Sequence, residues 1–340
     1  MSDKAPQNSP APLSAMNTGR REFFSKSVTL LTGGTVAAQS LLKPVGPALA
    51  QDTSAFFPGF QQTKIETSGA TINLRTGGSG PPVLLLHGYP QTHFEWHKVA
   101  PELAKRFTVV AADLRGYGDS SKPPAGENLV NYSKPAMARD MAEVMERLGH
   151  RQFAVVGHDR GGRVAHRLAI DYPERVTKLT ILDIITTLRM FQTVNKEFAT
   201  RNFHWFFLAQ PAPFPEQMIS SNPEAWLARA GQKSPFIVPE AYAEYLRCLR
   251  NPETARAMCE DYRANASIDL QLDAADLAKK ILCPLLVLWG EKGGMTRFDV
   301  LAEWRERAND VRGRAVPSTH WIPEEVPAML LAELGPFLNT

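Results

Sequence analysis

The stretch VVGHDRGGR, Val155–Arg163, decides how this sequence of 340 residues folds. An apolar run enters Gly-His-Asp-Arg-Gly, and a segment with helical periodicity follows. A strand, a sharp turn and a helix in this order are typical of the nucleophile elbow, G-x-S-x-G, which exposes one reactive side chain at the turn. The central position holds Asp159 instead of serine. The sequence therefore predicts a carboxylate nucleophile.

Apolar runs alternate with helical patterns on both sides of this stretch. Continuous apolar runs are typical of strands that are buried on both faces, and here they lie within 81–88, 107–114, 152–157 and 284–290. A further strand is predicted at 176–183. Helical periodicity predicts a helix over Glu95–Phe107, after the first of these runs. Strands that alternate with helices indicate βαβ units. We therefore expect an α/β fold with a mostly parallel central sheet flanked by helices.

The alternation stops after Asp183 and resumes near Pro284. Residues 185–280 show helical patterns with many aromatic residues and prolines, and no apolar strand run. This pattern predicts an inserted helical cap over the ends of the strands. The core would then consist of two parts, residues 51–184 and residues 281–340.

Residues 1–50 have the parts of an export signal. Arg20 and Arg21 precede Phe-Phe-Ser-Lys, a mildly apolar run covers Val28–Ala38, and Ala48-Leu49-Ala50 matches a small-x-small cleavage site. A basic region, a short apolar region and such a site make up a signal peptide, and paired arginines are typical of the bacterial twin-arginine route. We expect export to the periplasm. The apolar run is too short for a stable membrane span.

Composition argues against several other classes of protein. The net charge is +3 without a basic stripe, which disfavours nucleic-acid binding. The cysteines Cys248, Cys259 and Cys283 show no C-x-x-C spacing, so neither a metal cluster nor a disulfide framework is expected. His93 and His97 form H-x-x-x-H but lack an evident third ligand. We therefore expect no metal and no cofactor.

Two further polar residues follow predicted strands and complete a triad with Asp159. Asp183 ends the strand after the elbow, and His320 follows the last strand. The chain order of nucleophile, acid and histidine is that of the α/β-hydrolases. Many hydrolases carry the acid after the following strand, where only Glu291 is available here. Asp183 is favoured over Glu291 as the residue that orients His320.

A carboxylate nucleophile predicts a particular chemistry. It is ionised at neutral pH, so it can displace a leaving group from a saturated carbon and form an ester with the enzyme. His320 would then activate water to attack that ester. The developing oxyanion needs backbone N–H donors, and the candidates are the amides of Tyr89 and Arg160. Dehalogenation and epoxide opening both fit this scheme.

The motifs together resemble one family, the haloacetate (fluoroacetate) dehalogenases of the α/β-hydrolase superfamily. The resemblance rests on HGYPQT, ADLRGYGDSSKP, VVGHDRGGR, LDI, HWFFLAQPAPFPE, EDYRANASIDL and HWIPEE, and it spans Phe57 to Leu338. It implies hydrolysis of a small haloacid with water and without cofactor. It also allows a homodimer.

The resemblance assigns further site residues. It implies that Arg160 and Arg163 bind the substrate carboxylate, which suits the planar guanidinium group. It also implies that His204, Trp205 and Tyr262 donate hydrogen bonds to the departing halide.

Two other functions remain open at this stage. An epoxide hydrolase would use the same triad with two cap tyrosines, and Tyr242, Tyr245 and Tyr262 all lie in the predicted cap. The paired arginines, Arg160 and Arg163, favour an acid substrate instead. A non-catalytic ligand-binding protein on the same fold would bind substrate and form no product.

Overall fold

The computed structural model describes residues 54–232 and 234–339. The predicted signal peptide, residues 1–50, lies outside them. Within the described ranges, no helix is long and apolar enough to cross a membrane.

Eight strands form one sheet in the order β1-β2-β4-β3-β5-β6-β7-β8. Strands β1, β2 and β4 pair antiparallel in that sequence, and all other neighbours are parallel. The predicted α/β class with a mostly parallel sheet is therefore confirmed. The strands are β1 Gln61–Glu66, β2 Thr71–Gly77, β3 Pro82–Leu86, β4 Thr108–Ala112, β5 Phe153–His158, β6 Val176–Leu182, β7 Leu285–Gly290 and β8 Val311–Val316.

Fourteen α-helices are found in the described residues. Several of them pack together, among them α2 with α3. They are α1 Ala100–Leu103, α2 Lys134–Arg147, α3 Asp159–Asp171, α4 Thr187–Gln192, α5 Lys196–Arg201, α6 Phe203–Leu208, α7 Phe214–Ser221, α8 Pro223–Leu227, α9 Pro239–Leu249, α10 Pro252–Asn265, α11 Ile268–Ala275, α12 Val300–Arg305, α13 Ile322–Glu325 and α14 Pro327–Asn339.

The described chain between β6 and β7 contains helices α4 to α11, a π-helical turn at Ala228–Gln232 and no strand. We call this segment the helical insertion. Its helices are short, and several begin at a proline, as at Pro239 and Pro252. Proline lacks a backbone N–H, which costs nothing in the first turn of a helix.

Two parts of the fold differ from the pattern expected from the sequence. Strand β1 carries no apolar run because it is an edge strand with nearly every residue exposed. The segment Glu95–Phe107 has helical periodicity, yet it forms a 3₁₀ turn at His93–Trp96 and then the short helix α1. Pro101 has no N–H to donate to the carbonyl of His97, so a continuous helix cannot form there.

Close backbone contact joins the start of α3 to the end of β3. The amide of Gly161 donates to the carbonyl of His87 at 2.9 Å. A Cβ atom on Gly161 would lie 2.2 Å from the carbonyl oxygen of Leu86, which is rigid sheet backbone. Only glycine therefore allows α3 to begin this close to the sheet.

We expect Gly161→Ala to lower the free energy of unfolding by about 1–3 kcal/mol, because the added methyl group overpacks against fixed backbone. Urea unfolding followed by circular dichroism measures the change. Gly335→Ala is the matched control, since Gly335 also lies in a helix and a Cβ there meets nothing within 4 Å. Its stability should stay equal or rise, because alanine is the better helix former. Equal stability of the two variants would contradict the steric constraint.

Candidate active site

Asp159 is the first residue of α3 and lies directly after β5. Its φ angle is 45°, in the left-handed region that few residues other than glycine adopt. A Cβ atom on the preceding glycine, Gly157, would lie 2.6 Å from the carbonyl oxygen of Gly161. Small residues on both sides therefore permit the sharp turn, and the Asp159 carboxylate lines a cavity.

His320 lies between the two predicted triad carboxylates. Its Nδ1 is 2.5 Å from Oδ2 of Asp183, and its Nε2 is 3.5 Å from Oδ2 of Asp159. The other oxygen of Asp183 accepts the amide N–H of Gly290 at 2.8 Å. Glu291, the other acid considered for this role, is exposed. Asp183 therefore orients the imidazole and is itself fixed by backbone.

The charges of these groups depend on one another. Burial would raise the pKa of Asp159, but the hydrogen bond and charge of His320 hold it well below its ordinary value. Desolvation would lower the pKa of His320, but hydrogen bonds to Asp159 and Asp183 and their charges raise it to about 10. At neutral pH the unreacted site therefore holds an imidazolium between two carboxylates.

Backbone donors surround the nucleophile as expected for an oxyanion hole. The amide of Tyr89 donates to Oδ1 of Asp159 at 3.1 Å. The amide of Arg160 belongs to the first turn of α3, where N–H groups have no partner within the helix. The positive end of the helix dipole also favours negative charge there.

The two predicted carboxylate-binding arginines have different environments. The Arg160 side chain is fully buried and is not among the residues that line the cavity. Its Nε and Nη2 donate to the carboxylate of Asp261 at 2.8 and 2.5 Å, and the guanidinium lies 4.4 Å from the ring centre of Tyr262. Asp261 also accepts from Lys134 at 2.5 Å.

Arg160 therefore already has a carboxylate partner from the chain itself, and its binding of the substrate carboxylate stays a prediction. The competing anion, Asp261, lies in the EDYRA motif directly before Tyr262. Sequence reasoning assigned a role to the tyrosine and none to the aspartate. Only Nη1 of Arg160 is buried without a partner among the described residues.

Of the two predicted carboxylate-binding arginines, Arg163 is the one that lines the cavity and is available to a ligand there. Its Nη1 donates to the hydroxyl of Thr187 at 2.7 Å, its guanidinium lies 4.9 Å from the ring centre of Trp205, and its buried Nε has no partner among the described residues. Burial and the charge of Arg160 lower the pKa of Arg163 to about 10. The group is charged at neutral pH and would gain from a bound anion.

The three predicted halide donors come together on the same cavity wall. The ring centres of His204 and Trp205 lie 5.9 and 6.3 Å from that of Tyr262. Burial lowers the pKa of His204 to about 3 and raises that of Tyr262 far above its ordinary value. Both are therefore neutral at pH 7, and Nδ1 of His204 is buried with no hydrogen-bond partner in the part of the chain that the structure describes.

Two aromatic residues complete this wall, and sequence reasoning gave neither side chain a role. Tyr89 was assigned only a backbone donor, yet its ring stacks on His204 with centres 5.8 Å apart. Trp226 donates from Nε1 to the hydroxyl of Tyr89 at 2.5 Å. Trp226 lies in a stretch of the helical insertion without a recognisable motif, so only its position in the fold reveals the contact.

The cavity has a volume of about 390 Å³. Among the described residues, no group of three or more histidine, cysteine, aspartate or glutamate side chains could hold a metal ion. His93 and His97 instead hydrogen-bond within the core: the amide of His93 donates to Asp113 at 2.7 Å, and Nδ1 of His97 contacts the carbonyl of Phe94 at 2.9 Å.

The model of the alpha/beta hydrolase fold family matches residues 81–327 of this chain. A fluoroacetate dehalogenase from Burkholderia sp. is 42% identical over 83% of this chain and 95% of its own length. A soluble epoxide hydrolase from Corynebacterium sp. strain C12 is 36% identical over 78% and 92%. The crystal structure of ALR0039 from Nostoc sp. PCC 7120 is 54% identical, with a TM-score of 0.81 over 83% of this chain and 99% of that one. The chain therefore belongs to the α/β-hydrolase family and, within it, to the haloacetate dehalogenases.

Proposed function

We propose that this protein hydrolyses 2-haloacetates, such as fluoroacetate and chloroacetate, to glycolate and halide through an ester on Asp159. The observation that supports this most is a set of unpartnered donors beside an ionised nucleophile. Nε of Arg163 and Nδ1 of His204 are buried without a partner among the described residues, and both side chains line the cavity with Asp159. An unmet buried donor is costly, and a haloacid would supply acceptors for both.

In the first step, an oxygen of Asp159 attacks the carbon that bears the halogen. The new C–O bond forms as the carbon–halogen bond breaks, and the electron pair of that bond leaves with the halide. Arg163 would hold the substrate carboxylate through charge-assisted hydrogen bonds. The neutral donors His204, Trp205 and Tyr262 would stabilise the charge that develops on the halogen, where binding energy accelerates the reaction.

The first step prepares the second. Ester formation removes the negative charge of Asp159, which is one of the two charges that raise the pKa of His320. The pKa of His320 then falls, its imidazolium loses one proton to solvent, and the neutral imidazole can act as a base. It takes a proton from water, whose oxygen attacks the carboxyl carbon of the ester. The amides of Tyr89 and Arg160 would stabilise the oxyanion. Its collapse breaks the bond to the glycolate oxygen, which takes the proton of the new carboxyl group, so that glycolate leaves and the carboxylate is restored.

Epoxide hydrolysis is the second candidate, and one observation favours it. The hydroxyl-bearing rings of Tyr89 and Tyr262 both line the cavity, with their centres 5.1 Å apart, so two tyrosines are available to protonate an epoxide oxygen. The other tyrosines considered are placed elsewhere. Tyr245 donates to Glu324 at 3.0 Å, and Tyr242 does not line the cavity. The unpartnered nitrogen of Arg163 favours an acid over a neutral epoxide.

We also propose that residues 1–50 direct export to the periplasm through the twin-arginine route. Replacing Arg20 and Arg21 together by lysine should leave the full-length precursor in the cytoplasm, because that route requires the arginine pair. Cell fractionation with immunoblotting measures this. Lys43→Arg is the matched control and should be exported normally. Export of the double variant would contradict the proposed route.

The proposed reaction predicts that Asp159→Asn abolishes halide release from fluoroacetate and chloroacetate, by about 10⁴-fold or more, because the nucleophile is lost. His320→Asn should instead stall after the first step. Intact-protein mass spectrometry should then show the added mass of one carboxymethyl group, and peptide mapping should place it on Asp159.

Asp310→Asn is the control, since Asp310 is exposed and does not line the cavity, and it should release halide at the wild-type rate. Opening of an epoxide without halide release would support the second candidate. Binding of haloacids with no product of either kind would indicate a non-catalytic protein.

The coupled charges predict that Asp159→Asn lowers the pKa of His320 from about 10 toward its ordinary value of 6.5. The variant keeps the shape of the side chain and removes one of two negative charges. Titration of ¹⁵N-labelled histidine by NMR measures the change, and Asp310→Asn should leave the His320 titration where it is. An unchanged pKa in Asp159→Asn would show that ester formation does not free the base.

A further inference from the structure

The outer part of the cavity is lined by cations. Arg201, Arg229, Lys292 and Arg297 all line it and are exposed, whereas Asp159 at the inner end is buried. We call these four side chains the cationic mouth. Arg201 and Arg229 come from the helical insertion, and Lys292 and Arg297 come from the segment after β7. The mouth is therefore built from both parts of the fold.

Most of these charges lack a counter-ion. Arg201 has Glu197 at 3.9 Å, and both side chains are more than half exposed. Among the described residues, Arg229, Lys292 and Arg297 have no carboxylate within 4 Å, although the charge of Glu197, which also lines the cavity, acts on Arg297. Arg163 already offers a cation at the inner end. The cavity therefore has more unpaired positive charge than the single carboxylate of a two-carbon acid would use.

Aromatic rings hold two of the guanidinium groups in place. Arg229 lies 3.6 Å from the ring centre of Phe203, and Arg297 lies 4.5 and 4.6 Å from those of Phe198 and Phe298. A guanidinium that contacts a ring through its face keeps the N–H groups at its edge for a planar anion. Held in this way, it loses less freedom when a carboxylate binds.

The cavity is also larger than a haloacetate requires. It measures about 390 Å³, whereas a two-carbon haloacid fills on the order of 100 Å³, given that one water occupies about 30 Å³ of the liquid. Space therefore remains between the inner end and the mouth, and a longer substrate would fill it.

We propose that the cationic mouth binds a second carboxylate, so that the preferred substrates are 2-halogenated dicarboxylic acids of about four carbons. This inference rests on the proposed function, because it assumes the same attack by Asp159 on the halogen-bearing carbon. The carboxylate beside that carbon would lie at Arg163, and the distant one at Arg229 and Arg297. The halide leaves as before, water supplies the new hydroxyl group, and the product is a 2-hydroxy dicarboxylate.

The first test measures binding without turnover. Isothermal titration calorimetry on the full chain compares succinate with butyrate, which has the same four-carbon chain and a methyl group in place of the second carboxylate. Neither compound carries a halogen, so the result does not depend on catalysis. We expect succinate to bind about tenfold or more tightly, as charge-assisted hydrogen bonds would give. Equal affinity, or tighter binding of butyrate, would overturn the proposal.

Substitutions then locate the second carboxylate. In Arg229→Gln/Arg297→Gln the advantage of succinate over butyrate should disappear, with the affinity for butyrate unchanged, and each single variant should lose part of it. Arg312→Gln is the matched control, because Arg312 also lies over a ring, 4.6 Å from the centre of Phe337, but does not line the cavity. It should keep the full advantage. If the double variant loses affinity for succinate and for butyrate by the same factor, the arginines attract anions in general. That result would overturn the proposed site for a second carboxylate.

Turnover separates this proposal from the proposed function. Halide release from 2-chlorosuccinate should exceed that from 2-chlorobutyrate in kcat/KM, and the ratio should fall toward one in the double variant. Tighter binding of succinate without halide release from any haloacid would refute the proposed function and leave the anion site intact. Halide release from chloroacetate with no preference for the dicarboxylate in either assay would refute the anion site alone.

Discussion

His320 lies between two carboxylates, and the chain must hold all three groups in contact before either step of the proposed reaction can take place. Asp183 is 2.5 Å from one ring nitrogen, and Asp159 is 3.5 Å from the other. The two acids have different roles because their other contacts differ. Asp183 is fixed by the amide of Gly290, whereas Asp159 faces the cavity and can react. Asp159 follows β5 at the turn into α3, whereas Asp183 follows β6 beside the end of β7, whose last residue is Gly290.

The same contacts link protonation to stability. Because the pKa of folded His320 is raised from 6.5 to about 10, its protonated form stabilises the fold. This contribution is complete below about pH 6.5 and is lost as the pH rises through about 10. Loss of one carboxylate through ester formation weakens the same interaction. The reaction thus uses a charge arrangement that the folded chain already maintains.

A buried pair, Glu95 and His158, lies next to the triad and contacts the backbone of His320. Nδ1 of His158 lies 2.5 Å from Glu95, and its Nε2 lies 2.8 Å from the backbone carbonyl of His320. Glu95 also accepts the amide of Gly88 at 2.8 Å. Glu95 and His158 therefore link three loops: the turn that carries the Tyr89 amide, the elbow, and the loop that carries His320. Their relative positions depend on this contact as much as on the sheet.

The sequence predicted the elements whose signals are local. The elbow is a strand, a turn and a helix in succession, and the buried strands are continuous apolar runs, so β3 to β7 were found close to their observed bounds. Strand β1 was missed because both of its faces are exposed. The break before α1 depends on one proline within a regular helical pattern. Ion pairs between residues far apart in the chain left no comparable signal in the sequence. The clearest case is the pair of Arg160 with Asp261.

Arg160 shows why motif position alone does not assign a binding role. Its spacing from Arg163 suggests two guanidinium groups that face one anion, and both arginines are indeed buried close to the nucleophile. Yet Asp261, about a hundred residues later, accepts from both Nε and Nη2 of Arg160. Asp261 also accepts from Lys134, whose charge is shared with Asp269 at 3.4 Å. A buried guanidinium paired with a carboxylate through two of its nitrogens is stable where it is, and removing that carboxylate would be costly.

The pairing of Arg160 places it between the core and the helical insertion, because Asp261 belongs to α10 and Lys134 begins α2. Arg160 then contributes to the cavity in two ways. Its guanidinium lies over the ring of Tyr262 and fixes that side chain, and its buried side chain fixes its own amide at the start of α3. We propose that recognition of a substrate anion depends mainly on the cations that line the cavity and have few carboxylate partners among the described residues. Arg163 fills that role at the inner end, and the cationic mouth fills it at the outer end. The distance between those two ends, more than the triad, would then determine which haloacids this enzyme accepts.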